Sequence, residues 1–235
     1  MKTYLFLHGA LRGAWLWDRL LPVLRERGAT CLAIDLPGHG TRADQRDGVD
    51  MSAYIRDVEA VIVNNDLVDL VLVGHSMSGM IISKIAEDMP KRIRHLVYLA
   101  AVVPHDGEAL IDLLPKERQE TLRKLVRTEY EIFGTRDALR PGYFTDLGGP
   151  EKERYLSQLT PQPLAAFFEK ISFERFPDIA IPKTYLLGLR DKSLPPDLTR
   201  EFAERLGVAP KEIDAGHDMM ISRPAEVAEI LLAIS

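Results

Sequence analysis

The sequence has a single cysteine, Cys31, so no disulfide can form within the chain, which suits a reducing compartment. It lacks any apolar run approaching the roughly 20 residues that cross a bilayer. The opening Met1–Gly9 carries one lysine, too few apolar positions for a signal core and no small-residue cleavage site, so cytoplasmic location is the default expectation. Lys and Arg number 30 against 35 Asp and Glu, and the formal charge of -5 is spread along the chain. No basic run or stripe exists to track phosphates, so neither nucleic acid nor a membrane is an expected partner. Metal-ligand spacing, a phosphate loop and a dinucleotide fingerprint are all missing. Gly38-His39-Gly40 lacks the third glycine and reads as a turn, so no cofactor and no metal are expected. There is no internal repeat and no low-complexity segment.

What the sequence does contain is an alternation of short β-rich runs with amphipathic helical stretches. The strand candidates are Thr3–His8, Thr30–Asp35, Asp69–Gly74, Ile93–Ala101, Lys183–Gly188 and Val208–Asp214. Leu70-Val71-Leu72-Val73 is continuously apolar, as a strand buried on both faces should be. Trp15–Arg27, Ser52–Asn65, Met77–Asp88, Pro196–Leu206 and Pro224–Ile234 have helical spacing, with Pro224 at a tolerated first-turn position. The pattern predicts an α/β chain with a mainly parallel sheet of about six strands and helices on both faces. At 235 residues it fits one domain.

Residues 105–180 break the rhythm. Helical patterns over Ala109–Arg127, Glu151–Leu159 and Pro163–Ile171, punctuated by Pro141-Gly142 and Gly148-Gly149-Pro150, replace the strands. We read this stretch as a helical cap inserted into a core formed by residues 1–104 and 181–235, lying over the sheet edge where ligands of open α/β sheets bind. The alternative is a peripheral decoration.

Chemistry enters at His75-Ser76-Met77-Ser78-Gly79, between a strand and a helix. A serine on such a sharp turn is a nucleophile elbow: the turn lifts the hydroxyl clear of the sheet, and the helix N-terminus turns free N–H groups toward developing negative charge. The motif asks for glycine two residues before and after the serine. Gly74 fits and Ser78 does not, although Ser78 is small and Gly79 follows. Ser76 could instead cap the helix. Ser78 is a rival nucleophile whose place in the first helical turn points it into packing.

A serine hydroxyl needs a base. Of six histidines, only His217 lies on the loop after the last strand, where the order serine–acid–histidine puts the base. Asp191 follows the strand Lys183–Gly188 and leaves room for one helix and one strand before His217. The loop after Ile93–Ala101 has no carboxylate before Asp106, and Asp35 precedes the serine and reads as a turn ligand. The oxyanion donors are expected to be the amides of Met77 and of Ala10, where Gly9 permits close backbone approach. His8 is expected to organise that loop.

These residues together resemble the α/β-hydrolase superfamily, and within it the branch of plant methyl esterases and hydroxynitrile lyases with bacterial esterase relatives. Leu7-His8-Gly9-Ala10 followed by Gly13-Ala14-Trp15-Leu16-Trp17, Asp35-Leu36-Pro37-Gly38-His39-Gly40, the elbow and Gly216-His217 carry the likeness, which weakens across the cap. The resemblance implies that lyases put threonine at the oxyanion-loop glycine and lysine after the catalytic histidine. Here stand Gly9 and Asp218. The esterases keep the glycine and place an apolar residue after the histidine, so Asp218 departs from both patterns; pointing inward it would disfavour anionic substrates.

The expectation is therefore hydrolysis of a small, largely apolar ester through an acyl-enzyme on Ser76, with His217 and Asp191. Cofactor-free lyase chemistry and a slow small-molecule receptor are the alternatives. Gly9, Met77 and Met219 are expected to touch substrate, while Trp15, Trp17 and Met220 read as core and Phe167 and Phe168 as fastening the cap. The scissile bond (methyl ester, lactone, thioester or amide) is not legible. A homodimer is compatible with the sequence, which fixes no oligomeric state.

Overall fold

The computed structural model describes residues 2–128 and 131–234. Its strands are β1 (Thr3–Leu7), β2 (Thr30–Ile34), β3 (Leu70–His75), β4 (Ile93–Leu99), β5 (Glu131–Ile132), β6 (Gln162–Pro163), β7 (Lys183–Gly188) and β8 (Lys211–Ile213). Six of them form one parallel sheet in the order β2-β1-β3-β4-β7-β8. The chain steps from β1 to β2 on one side and then crosses to β3 on the other. The crevice beyond the C-terminal ends of β1 and β3 is therefore the switch point at which open α/β sheets bind ligands.

The helices are α1 (Leu20–Glu26), α2 (Met51–Asn64), α3 (Ser78–Asp88), α4 (Lys116–Lys124), α5 (Arg136–Leu139), α6 (Gly149–Leu156), α7 (Ala165–Phe168), α8 (Pro196–Arg205), α9 (Met219–Ser222) and α10 (Pro224–Leu232). Period-two alternation sorts the strand residues to two cores. Leu5, Leu7, Leu70 and Leu72 pack with Tyr54, Ile55, Val58, Ile81, Ile85 and Phe202 of α2, α3 and α8. Tyr4, Phe6, Val71 and Val73 pack with Trp17, Leu20, Leu24, Val227 and Leu231 on the other face. Each fully buried side chain of this size contributes roughly 1.5–3 kcal/mol. α2 begins where Asp50 accepts the Ala53 amide at 2.7 Å, a normal acidic cap.

Between β4 and β7 the chain leaves the sheet through α4–α7 and the antiparallel pair β5–β6. Leu110, Leu122, Ile132 and Phe167 join the first core, and Tyr143, Phe144, Tyr155 and Leu156 the second, so this segment lies against both. Three helical expectations change. Trp15–Arg27 is a 3-10 turn (Ala14–Trp17) followed by α1. Ala109–Arg127 is a 3-10 turn (Leu110–Leu113) and α4, divided at Leu114-Pro115, because proline excludes helical geometry at the residue before it. Pro163–Ile171 retains helix only over Ala165–Phe168, its first residue pairing in β6. Phe167 is buried, whereas Phe168 is 38% exposed beneath the Arg123 guanidinium and fastens nothing to the core.

Candidate active site

β3 delivers the chain to Ser76, whose φ of +53° lies in the left-handed region disfavoured for a residue with a side chain. The turn is held by the Ser76 amide donating to Leu99 O and by Ser76 O accepting from Gly79 N and Val102 N, all between 3.1 and 3.3 Å. Such strain persists only where the surroundings over-determine it, and it is typical of functional turns. Gly79 rather than position 78 carries the steric demand: a Cβ there would lie 1.9 Å from Val102 O. Ser78 is fully buried and its hydroxyl donates to His8 O, which removes it from solution chemistry.

The loop after β8 brings His217 to the same place. Its Nδ1 lies 2.7 Å from Asp191 Oδ2, and both residues are buried. Asp191 Oδ1 accepts the amides of Ser193 at 2.7 Å and Leu194 at 2.9 Å, so the carboxylate is fixed from two sides. An ionised carboxylate can only accept, so the ring is protonated at Nδ1 and Nε2 is the basic nitrogen. Nε2 has no partner among the described residues. Ser76 and His217 line one cavity, although no hydrogen bond joins them, a common state of unliganded sites. Ala10 and Met77 line the same cavity, and among the described residues neither amide donates to another group of the chain.

The other buried histidines are committed elsewhere. His8 Nδ1 donates to Gly9 O at 2.8 Å and Nε2 accepts from the Leu36 amide at 3.1 Å. Burial lowers its pKa to about 4, so it holds the loop as a neutral ring. His75 donates from Nε2 to His217 O at 3.1 Å and is kept neutral by burial and by the neighbouring His217. Among the described residues no cluster of His, Cys, Asp or Glu is arranged to hold a metal, and no helix is long and apolar enough to cross a membrane.

A model of the alpha/beta hydrolase family matches residues 4–230. The chain belongs to this family. Over the whole chain it is 29% identical to a carbendazim hydrolyzing esterase of a Nocardioides species, with all of that protein covered, and 28% identical to polyneuridine aldehyde esterase of Rauvolfia serpentina, with 96% covered. Among solved structures, an extracellular alpha/beta-hydrolase from a Paenibacillus species superimposes with a TM-score of 0.91 at 26% identity, covering 99% of this chain and 98% of that one. That protein is described as sharing structural and functional homology with tobacco salicylic acid binding protein 2.

The hydrolase cavity, about 50 Å³ and partly open to solvent, is walled by Leu11, Leu110, Leu114, Leu122, Ile132 and Phe167 besides the residues above. Met77 lines it, but Met219 does not: as the first residue of α9 it is fully buried in the second core. Gly9 borders the elbow from behind, where a Cβ would come within 2.8 Å of Ser76 Cβ and His75 Nδ1. Asp218 turns away from the cavity and pairs with Arg12, Oδ1 with Nε at 2.7 Å and Oδ2 with Nη2 at 3.0 Å, both side chains almost completely buried. Burial opposes the Arg12 charge, and Asp218 outweighs it. Arg12 Nη1 also donates to Ala10 O at 3.0 Å, tying the loop after β1 to the histidine loop.

Sequence reading missed Arg12. The signal was available: Asp218 fitted neither relative pattern, and an arginine stood two residues beyond Ala10. It also missed Asp146, whose carboxylate from the β4–β7 segment accepts Gly216 N and Ser222 Oγ and so supports the histidine loop. A lone aspartate in a glycine-punctuated loop gives no such hint.

Proposed function

We propose that the chain hydrolyses small, largely apolar carboxylic esters through an acyl-enzyme on Ser76. The observation that carries this reading is the meeting of a strained strand-to-helix serine with a carboxylate-held imidazole at one apolar cavity. His217 Nε2 takes the Ser76 proton as Oγ attacks the ester carbonyl. The negative charge moves to the carbonyl oxygen, beside the uncommitted amides of Ala10 and Met77. Collapse of the tetrahedral adduct expels the alcohol, which receives the proton from His217. Water, deprotonated by the same ring, then attacks the acyl-Ser76 ester and releases the acid, restoring the serine. Asp191 keeps the imidazole in the tautomer with Nε2 free and stabilises its charged form. The esterase names among the relatives agree with this chemistry.

The lyase reading is weaker on two counts. A side chain at position 9 would collide with the elbow, and the residue after the histidine is an acid already spent on Arg12. The test is labelling by a fluorophosphonate probe with the adduct located by peptide mass spectrometry. Modification at Ser76 that disappears in His217→Ala, together with loss of short-chain aryl ester turnover in folded Ser76→Ala, is the expected result. Undiminished turnover in Ser76→Ala would overturn the proposal.

A further inference from the structure

The cavity lining includes two guanidinium groups and no carboxylate. Arg12 is balanced by Asp218, and Asp191 is engaged by His217 and two amides. Arg118 of α4 has no counter-charge among the described residues. Its Nη2 donates to Tyr143 Oη at 2.7 Å, and its guanidinium lies 5.3 Å from the Tyr143 ring centroid. The Arg12 guanidinium approaches the same ring at 5.0 Å. Tyr143 is 4% exposed, and because its oxygen accepts from Arg118, its own O–H is directed elsewhere; it donates to no described residue.

One part of a cavity walled largely by apolar side chains thus presents a single uncompensated positive charge, with Arg118 N–H donors and the Tyr143 O–H beside them. A neutral, wholly apolar substrate would cover part of this half-buried cation and the Tyr143 O–H without pairing either, which is unfavourable. A dianion would leave one negative charge unmatched. A monoanion whose flat oxygens fit a guanidinium fork satisfies the site.

Building on ester hydrolysis at Ser76, we infer that the substrate is an apolar ester whose non-reacting end carries a carboxylate, bound by Arg118 and the Tyr143 hydroxyl. The pairing of Asp218 with Arg12 removes the acidic obstacle that the sequence placed beside His217.

The experiment compares two coloured esters of one acyl length, 4-nitrophenyl hydrogen glutarate and its neutral methyl ester, by kcat/KM. The wild type is expected to favour the acid by roughly tenfold or more, and Arg118→Gln to lose most of that ratio. Arg118→Lys keeps part of it, and added NaCl shrinks it in the wild type. A wild-type ratio of one or less, or a ratio unmoved in Arg118→Gln, overturns the inference. Calorimetric binding of both esters to Ser76→Ala, with and without Arg118→Gln, separates the two claims. Arg118-dependent preference for the acid in binding, without turnover of either ester by the wild type, would uphold the anion site and reject ester hydrolysis. Equal turnover of both esters would uphold hydrolysis and reject the anion site. Equal binding of both esters, or no binding, would also reject it.

Discussion

Replacing Asp218 by asparagine isolates the energetics of the Arg12–Asp218 pair. The substitution preserves shape but leaves the Arg12 guanidinium, whose side chain is 3% exposed, without its counter-charge. Breaking a buried pair by removing one partner destabilises by about 3–5 kcal/mol, whereas replacing both partners by apolar residues is often nearly neutral. Against a total stability of about 5–15 kcal/mol this is a large share. In a chain of this size it corresponds to a fall of roughly 6–20 °C in Tm. The assay is urea unfolding of wild type, Asp218→Asn, Arg12→Met and the double variant Arg12→Met/Asp218→Met, with m-values checked for constancy. The double variant should recover most of the loss, giving a coupling energy above about 2 kcal/mol. It should not recover turnover, because Ala10 O loses the Arg12 Nη1 donor and the oxyanion loop loses its fixed position; roughly tenfold or more in kcat is expected from such displacement. Single variants that each stay within about 1 kcal/mol of wild type would refute the reasoning, since a desolvated unpaired guanidinium cannot be that cheap.

Ser76→Gly should abolish ester turnover yet raise stability by about 1 kcal/mol in urea melts, because glycine adopts the left-handed φ without penalty; unchanged or lower stability would count against backbone strain at the elbow. Gly79→Ala should destabilise by more than about 3 kcal/mol or prevent folding, as judged by circular dichroism and soluble yield, since the new methyl would meet the rigid Val102 carbonyl. Stability should fall as pH drops from about 6.5 toward 4. His8 and His95 titrate near 4 when folded and near 6.5 when unfolded, so the unfolded chain binds more protons in that window. Each adds a slope of up to about 1.4 kcal/mol per pH unit, to be read from urea midpoints across that range. Asp191→Asn should retain the fold but lose roughly 10⁴-fold in kcat by releasing the His217 tautomer; a loss below about tenfold would remove Asp191 from the mechanism.

The six strands of the parallel sheet were legible because most are short and apolar, so Leu70–Val73 needed no helical alternative, and the structure starts or stops them within a few residues of the sequence estimate; the two-residue strands β5 and β6, in the stretch read as helical, were not. The helices over Trp15–Arg27 and Ala109–Arg127 were overextended for a shared reason. Apolar spacing near 3.6 also arises where a 3-10 turn and a separate helix bury the same side of a loop, and periodicity does not register the break. Ser76, Asp191 and His217, which the structure brings to one place, could be proposed together because each has a defined position after a particular strand. Met219 was misplaced because adjacency to a site residue along the chain says nothing of direction, and the turn into α9 sends it to the opposite core. Arg12, Arg118 and Tyr143 come to the cavity from three remote segments, which only tertiary packing brings together.

The Arg12–Asp218 bridge joins positions 206 residues apart. During synthesis the loop after β1 therefore stays untied until residues beyond β8 have left the ribosome. His217 arrives on the very segment that carries the tie, so the imidazole and the closure of the loop come together.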